Sequence, residues 1–220
     1  MIEELKSKNF RTNLLLGLFI ASIIASNLLG GKIAELVLFG IPIIFSVGLV
    51  AFAFTFPVTD IIAEVYGRKK AQEFVYIGLT ALIFVLIITV ISVNLPFAQR
   101  SWITPDQYNP IFNQSLRILI ASIIAFFIAQ MHDVFSFEFW KKKTNGKHLW
   151  LRNNASTIVS QAIDSTLFMF IAFYQVSPKY DVAFVISLII PYYILKVGLA
   201  ILDTPLVYAG VKWLRGAESE

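Results

Sequence analysis

This sequence predicts an all-α integral membrane protein of six transmembrane helices with its N- and C-termini in the cytoplasm, and three observations carry that expectation. The 220 residues are 57% hydrophobic and 15% charged, with a mean hydropathy of +0.74. A soluble chain carries about 25% charged residues, so this one cannot hide its apolar residues and still cover itself in water. Several apolar runs reach the roughly 20 residues needed to cross a hydrocarbon core of about 30 Å. They lack the alternation of barrel strands, which leaves helices as the way to satisfy the backbone in lipid. Lys and Arg, finally, are unevenly shared between alternate connections. A soluble enzyme, a secreted disulfide-held domain and a disordered chain are excluded together.

The elements follow in chain order. The first apolar run, 12–29, comes after Lys6, Lys8 and Arg11 in the manner of a signal peptide. It lacks a small-x-small cleavage site before a polar region, so it reads as a retained helix. The second and third spans are expected over 36–58 and 74–95. The connection 96–112 holds Pro96, Pro105 and Pro110 and reads as irregular. The fourth span, 113–131, leads into a basic loop over 132–154, and the fifth covers 155–176. The last, 182–210, is long enough to tilt or break, and Pro191 offers a kink. A single transmembrane domain over 1–220 is expected, with no appended soluble domain and no internal sequence match that would mark a repeat.

Orientation comes from the basic residues. Thirteen of the 18 Lys and Arg residues fall in the two tails and the second and fourth loops. The alternate connections hold only Lys32, Arg100 and Lys179, while Arg117 and Lys196 lie inside spans. The positive-inside rule then puts both termini in the cytoplasm of a cell (inner) membrane. The formal charge of +4 belongs to those loops and to the lipid surface, not to nucleic acid. Lys141, Lys142 and Lys143 serve as a topology determinant or face anionic headgroups. With no cysteine and only His132 and His148, neither thiol chemistry nor a metal centre is expected, and no cofactor.

An ionisable side chain inside a bilayer is costly unless it faces protein or water, so each one is a functional candidate. Asp60 and Glu64 are four apart and share a helix face at the cytoplasmic end of the second span, between Pro57 and Gly67. Two carboxylates so placed suit a gate, a proton site or a cation site. A solvated helix end paired with Arg68, Lys69 and Lys70 is the structural alternative. On the fifth span, after Arg152, the residues Thr157, Gln161, Asp164 and Phe168 draw one stripe. Asp164 lies about 13 Å inside the cytoplasmic entry, near the midplane. On the sixth, Tyr192, Lys196 and Asp203 fall near one face, and Lys196 needs a carboxylate, for which Asp164 is the natural partner. A purely structural Asp–Lys tie explains the same pair. Ser22, Ser26 and Gly30 read as a packing seam of the first helix, while Asn27 could donate to and accept from a ligand. Arg117 either snorkels to the outer surface or meets a ligand. Gln130, His132 and Asp133 close the fourth span, with His132 read as interfacial.

One carboxylate can accept two parallel N–H bonds, the pair that a guanine-like base presents as a ring N–H beside an exocyclic amine. A carboxamide such as Gln161 or Asn27 can satisfy a ring carbonyl. Twenty Phe and eight Tyr residues supply stacking partners for a flat ring, although most of them serve as core or lipid-facing residues. The chemistry admits a planar heterocycle without singling one out.

Two strings carry a resemblance. Pro57-x-x-Asp60-x-x-x-Glu64-Val-Tyr66-Gly67, with Asn27 and Lys32 upstream, resembles the vitamin uptake transporter family, also called queuosine precursor transporters. Arg152-Asn153-x-x-Ser156-Thr157-x-x-Ser160-Gln161-x-x-Asp164 is similar to that family's second signature. The resemblance spans nearly the whole chain and implies import of 7-deazaguanines such as 7-cyano-7-deazaguanine (preQ0) and 7-aminomethyl-7-deazaguanine (preQ1), salvaged for tRNA modification. On this reading a small-molecule heterocycle binds among helices one, two, five and six. Asp164 takes its N–H pair, Gln161 and Asn27 orient it, Lys196 and Arg117 complete the binding set, and Asp60 and Glu64 form an inner gate or proton site. The protein is then not an enzyme. A homodimer and an energising partner both stay open. The main rival is a substrate-capture subunit of an energy-coupling-factor importer, to which Ala21-x-x-x-Ala25 also lends itself. An intramembrane enzyme fits less well, since no nucleophile stands beside a base.

Overall fold

In a computed structural model, the backbone is described for residues 7–38, 40–144, 149–202 and 204–216, and among these the regular elements are helices and one hairpin. The first helix, α1 (Lys8–Leu29), starts where the Ser7 side chain accepts the Phe10 N–H at 3.2 Å. It turns Leu15 and Phe19 inward and leaves Leu14 and Leu18 on the outside.

The second span departs from expectation. Residues 36–38 and 41–46, expected as helix, belong to an antiparallel hairpin of β1 (Ile33–Leu38) and β2 (Ile41–Ser46), paired from Ile33↔Ser46 to Leu38↔Ile41. Ile33, Val37, Ile41, Ile43 and Ile44 are β-branched and favour extended backbone, Pro42 would cost a helix interior a hydrogen bond, and Gly40 makes the turn at φ +80°. The hairpin closes back onto α1 through Ser46 Oγ, which donates to the Gly30 carbonyl at 2.7 Å. Helix then resumes as the short α2 (Gly48–Phe52), is interrupted at Ala53 and Phe54, and continues as α3 (Thr55–Tyr66). Gly67, at φ +86°, lets α4 (Arg68–Asn94) follow at once.

Two expected loops are shorter than the sequence implied. The helix α5 (Pro105–Lys143) runs for 39 residues, about 58 Å at 1.5 Å per residue, where only 113–131 was expected. Pro105 occupies its first turn, and the Thr104 N–H donates to Gln107 Oε1 at 3.0 Å. The irregular stretch therefore ends at Thr104, and the supposed loop over 132–154 is helical up to Lys143 and again from α6 (Leu149–Phe173). The expected single span over 182–210 is two helices, α7 (Val182–Leu202), which keeps Pro191 inside it, and α8 (Thr204–Arg215).

Four helical stretches among the described residues are long and apolar enough to cross a membrane: Lys8–Leu29, Gly48–Tyr66, Lys69–Asn94 and Pro105–Ala129. Ile158–Phe173 and Val182–Lys196 are apolar but shorter. The outside of α4 displays Ile83, Phe84, Ile87, Ile88 and Ile91, while Ser26, Asn27, Ser115, Ser165 and Lys196 are buried. That is the distribution of a protein whose solvent is hydrocarbon, and the chain is a multi-pass membrane protein.

The interior has two apolar clusters. One gathers Leu49, Ile118, Met169, Phe173 and Leu188 from α2, α5, α6 and α7. The other gathers Leu15, Phe19, Ile62, Phe74 and Leu214 from α1, α3, α4 and α8. At the outer edge of the second, the start of α1 meets the ends of α3 and α8. Thr12 Oγ1 and Tyr66 Oη are 2.7 Å apart, the Lys8 ammonium lies 4.9 Å from the Tyr66 ring centre, and Arg11 donates to the Trp213 carbonyl. The beginning of α1 and the end of α8 therefore share one end of the bundle.

Candidate functional site

Between the two clusters lies an open-mouthed cavity of about 80 Å³. Asn27 reaches it from α1, Phe52 from α2, Ser122 from α5, Asp164 and Phe168 from α6, and Tyr192 and Lys196 from α7. Its wall is mostly apolar, with a few convergent polar groups, which is the usual make-up of a small-molecule site. Gly48 makes the tight corner: a Cβ there would stand 2.3 Å from the Ser26 carbonyl oxygen and 2.9 Å from Gly30 Cα, so α1 and α2 can approach this closely only because the side chain is missing.

The charged centre of the cavity is one ion pair. Lys196 Nζ donates to Asp164 Oδ2 at 2.7 Å, with Lys196 4% exposed and Asp164 19% exposed. The ammonium also lies 4.8 Å from the Tyr192 ring centre and 5.1 Å from that of Phe52, close enough for both ring faces to hold it. Tyr192 in turn stacks on Phe168, with centroids 5.9 Å apart and planes inclined by 16°. Four residues of helix separate the partners on each element, so each pair faces one way: Asp164 and Phe168 on α6, Tyr192 and Lys196 on α7.

Asn27 lines the same cavity, but its side chain is already engaged. Its Oδ1 accepts from Ser122 Oγ at 2.5 Å, and its Nδ2 donates to the Ile23 carbonyl at 2.8 Å. The other expected site residues lie elsewhere. Gln161 is not among the cavity's lining residues. Arg117 turns to the C-terminal end of α6, donating to the Ile171 carbonyl at 2.6 Å and to the Tyr174 carbonyl, while Gln114 donates to the Ala172 carbonyl at 3.0 Å. Those carbonyls have no partner in their own helix, so the arginine serves as a cap held by a neighbouring element. Asp60 and Glu64 are exposed on α3 and are not among the cavity's lining residues, and Glu64 pairs with Arg215 at 3.1 Å. His132 meets Ser160 Oγ at 3.0 Å between α5 and α6. Asp203 and the side chains of Gln130, Asp133, Arg152, Asn153, Ser156 and Thr157 lie outside the described residues.

Phe52 and Ser122 are cavity residues that the sequence reading did not single out. Each sits in a run of apolar or small neighbours, where one aromatic ring or one hydroxyl carries no signal of its own. Among the described residues no group of His, Cys, Asp and Glu side chains could hold a metal ion.

A family model described as "Putative vitamin uptake transporter" matches residues 46–210. The chain belongs to this family. The matched segment of this vitamin uptake transporter chain takes in Asp60, Glu64, Asp164 and Lys196, and leaves Asn27 and most of the hairpin outside. Among curated proteins, the chain is 30% identical over 174 residues to the "Probable queuosine precursor transporter" of Bacillus subtilis, covering 79% of this chain and 74% of the relative. It is 28% identical over 131 residues to the "Queuosine precursor transporter" of Escherichia coli, covering 58% of this chain and 55% of that protein. No solved structure matches the chain.

Proposed function

We propose that this chain imports queuosine precursors, 7-deazaguanine bases, across the cell membrane. The observation that supports it best is the cavity in which a carboxylate and an ammonium face stacked aromatic rings, in a chain whose relatives carry that transporter's name. Asp164 accepts the paired N–H groups of the base, and Phe168, Tyr192 and Phe52 provide ring faces for it. Asn27, held by Ser122 and Ile23, shapes the wall. Gln161 and Arg117 take no direct part. Asp60 and Glu64 stand at the end of the bundle shared by the chain's first and last helices, where a gate or proton site would act from the cytoplasmic side. Six spans with both termini cytoplasmic agree with that shared end and with the basic residues gathered there. The role is transport without covalent chemistry.

The test is uptake of labelled 7-cyano- and 7-aminomethyl-7-deazaguanine by cells that cannot make deazaguanines and that carry this gene as their only importer, with and without a proton uncoupler at constant ATP. Uptake establishes the transport class, and its loss with the uncoupler assigns the energy source to protons. Confirmed membrane expression with no uptake of either base would refute the reading.

A further inference from the structure

Resting on that reading of the cavity, we infer that Lys196 is the residue that reads the 6-oxo group of the base, so that the Asp164–Lys196 pair recognises the whole guanine-type edge. A guanine-type base presents three groups in a row: an exocyclic amine that donates, a ring N–H that donates, and a carbonyl that accepts. The pair offers the complement, a carboxylate with two acceptor oxygens and, 2.7 Å from one of them, an ammonium with three donors. Adenine-type and cytosine-type edges place an acceptor where this site places its carboxylate, and are repelled.

The carboxamides that could have taken the carbonyl do not. Gln161 is not a lining residue, and both ends of the Asn27 amide are already bonded within the protein. Lys196 is the charged donor beside Asp164, 2.7 Å from its Oδ2. It is 4% exposed and held over the Phe52 and Tyr192 rings, so its position is fixed before the base arrives. A bound base shares Asp164 with Lys196 and gives the ammonium a second acceptor, so neither charge is stranded as the ligand enters.

The experiment uses the full-length protein purified in detergent and measures ligand affinity by thermal stabilisation. The probes are 7-cyano-7-deazaguanine and its 6-thio analogue, which keeps both N–H donors and replaces the 6-oxo acceptor with a larger, weaker one. The wild-type protein is expected to prefer the 6-oxo base by at least about tenfold, the size of one charge-assisted hydrogen bond. Lys196→Gln, whose neutral amide replaces the ammonium, is expected to narrow that preference to within about threefold. The wild-type comparison needs no variant, so it can refute the role of Lys196 even if Lys196→Gln fails to fold. Equal affinity for the two bases would overturn the role of Lys196 while leaving the proposed function standing. Stabilisation by neither base would overturn the proposed function itself.

Discussion

Removing Asp164 tests how much the cavity's ion pair does for the fold and how much for the ligand. In Asp164→Leu the Lys196 ammonium, 4% exposed, loses the carboxylate 2.7 Å away and keeps only ring faces. Breaking a buried pair on one side costs about 3–5 kcal/mol. Asp164 is itself 19% exposed, which puts this case at the lower end, about 3 kcal/mol. For a chain of this length that is a fall in Tm of roughly 6–12 °C. Lys196→Met leaves the more open partner behind, which water can reach, and is expected to cost about half as much. The double variant, with apolar groups of similar volume facing each other, is expected within about 1 kcal/mol of the wild type. Thermal unfolding of the four purified proteins gives the coupling energy as a double-mutant cycle, and uptake is measured on the same four. A coupling below about 0.5 kcal/mol would show that the pair is not buried as described. Recovery of uptake in the double variant, alongside recovered stability, would show that the pair has no part in recognition.

Other changes separate scaffold from site. Arg117→Met strands the Ile171 and Tyr174 carbonyls at the end of α6 and is expected to destabilise by about 2–4 kcal/mol, while uptake per folded molecule stays unchanged; transport normalised to folded protein in the membrane measures both. Gly48→Ala puts a methyl group 2.3 Å from the Ser26 carbonyl oxygen, and since backbone atoms cannot yield as a side chain can, a loss of about 1–3 kcal/mol is expected in thermal unfolding, with a larger one for Gly48→Val.

The helices were legible wherever an apolar run stood alone. The start of α1 and the run of α4 needed nothing beyond hydropathy and length, because lipid rewards an apolar surface all round the helix. The hairpin was not, although its residues advertised it. In a run as uniformly apolar as Leu36–Val58, period two and period 3.6 look alike, and the Gly40-Ile41-Pro42 punctuation was outweighed by hydropathy. The far ends of α5 were missed because polar and basic residues such as Lys142 stay helical once clear of the hydrocarbon, where hydropathy no longer reports helix. In the site, the pairing of Asp164 with Lys196 could be anticipated from two lone charges at similar depth. The place of Arg117 could not, since a cap on another helix depends on where that helix ends in space, and nothing in the local sequence records it.

The division of the interior into two apolar clusters also bears on mechanics. Each cluster is a stiff, close-packed body, and close-packed bodies shift as wholes in preference to deforming. The bonds from Gln114 and Arg117 to the end of α6 tie α5 and α6 together, whereas the hollow is flanked by the Phe52 ring just before the interruption at Ala53 and Phe54. A rocking of one body against the other would sacrifice little apolar burial and would change the width of the hollow most. On the proposed function the ligand would sit in that hollow, where filling or emptying the space would weigh directly on which tilt the protein adopts.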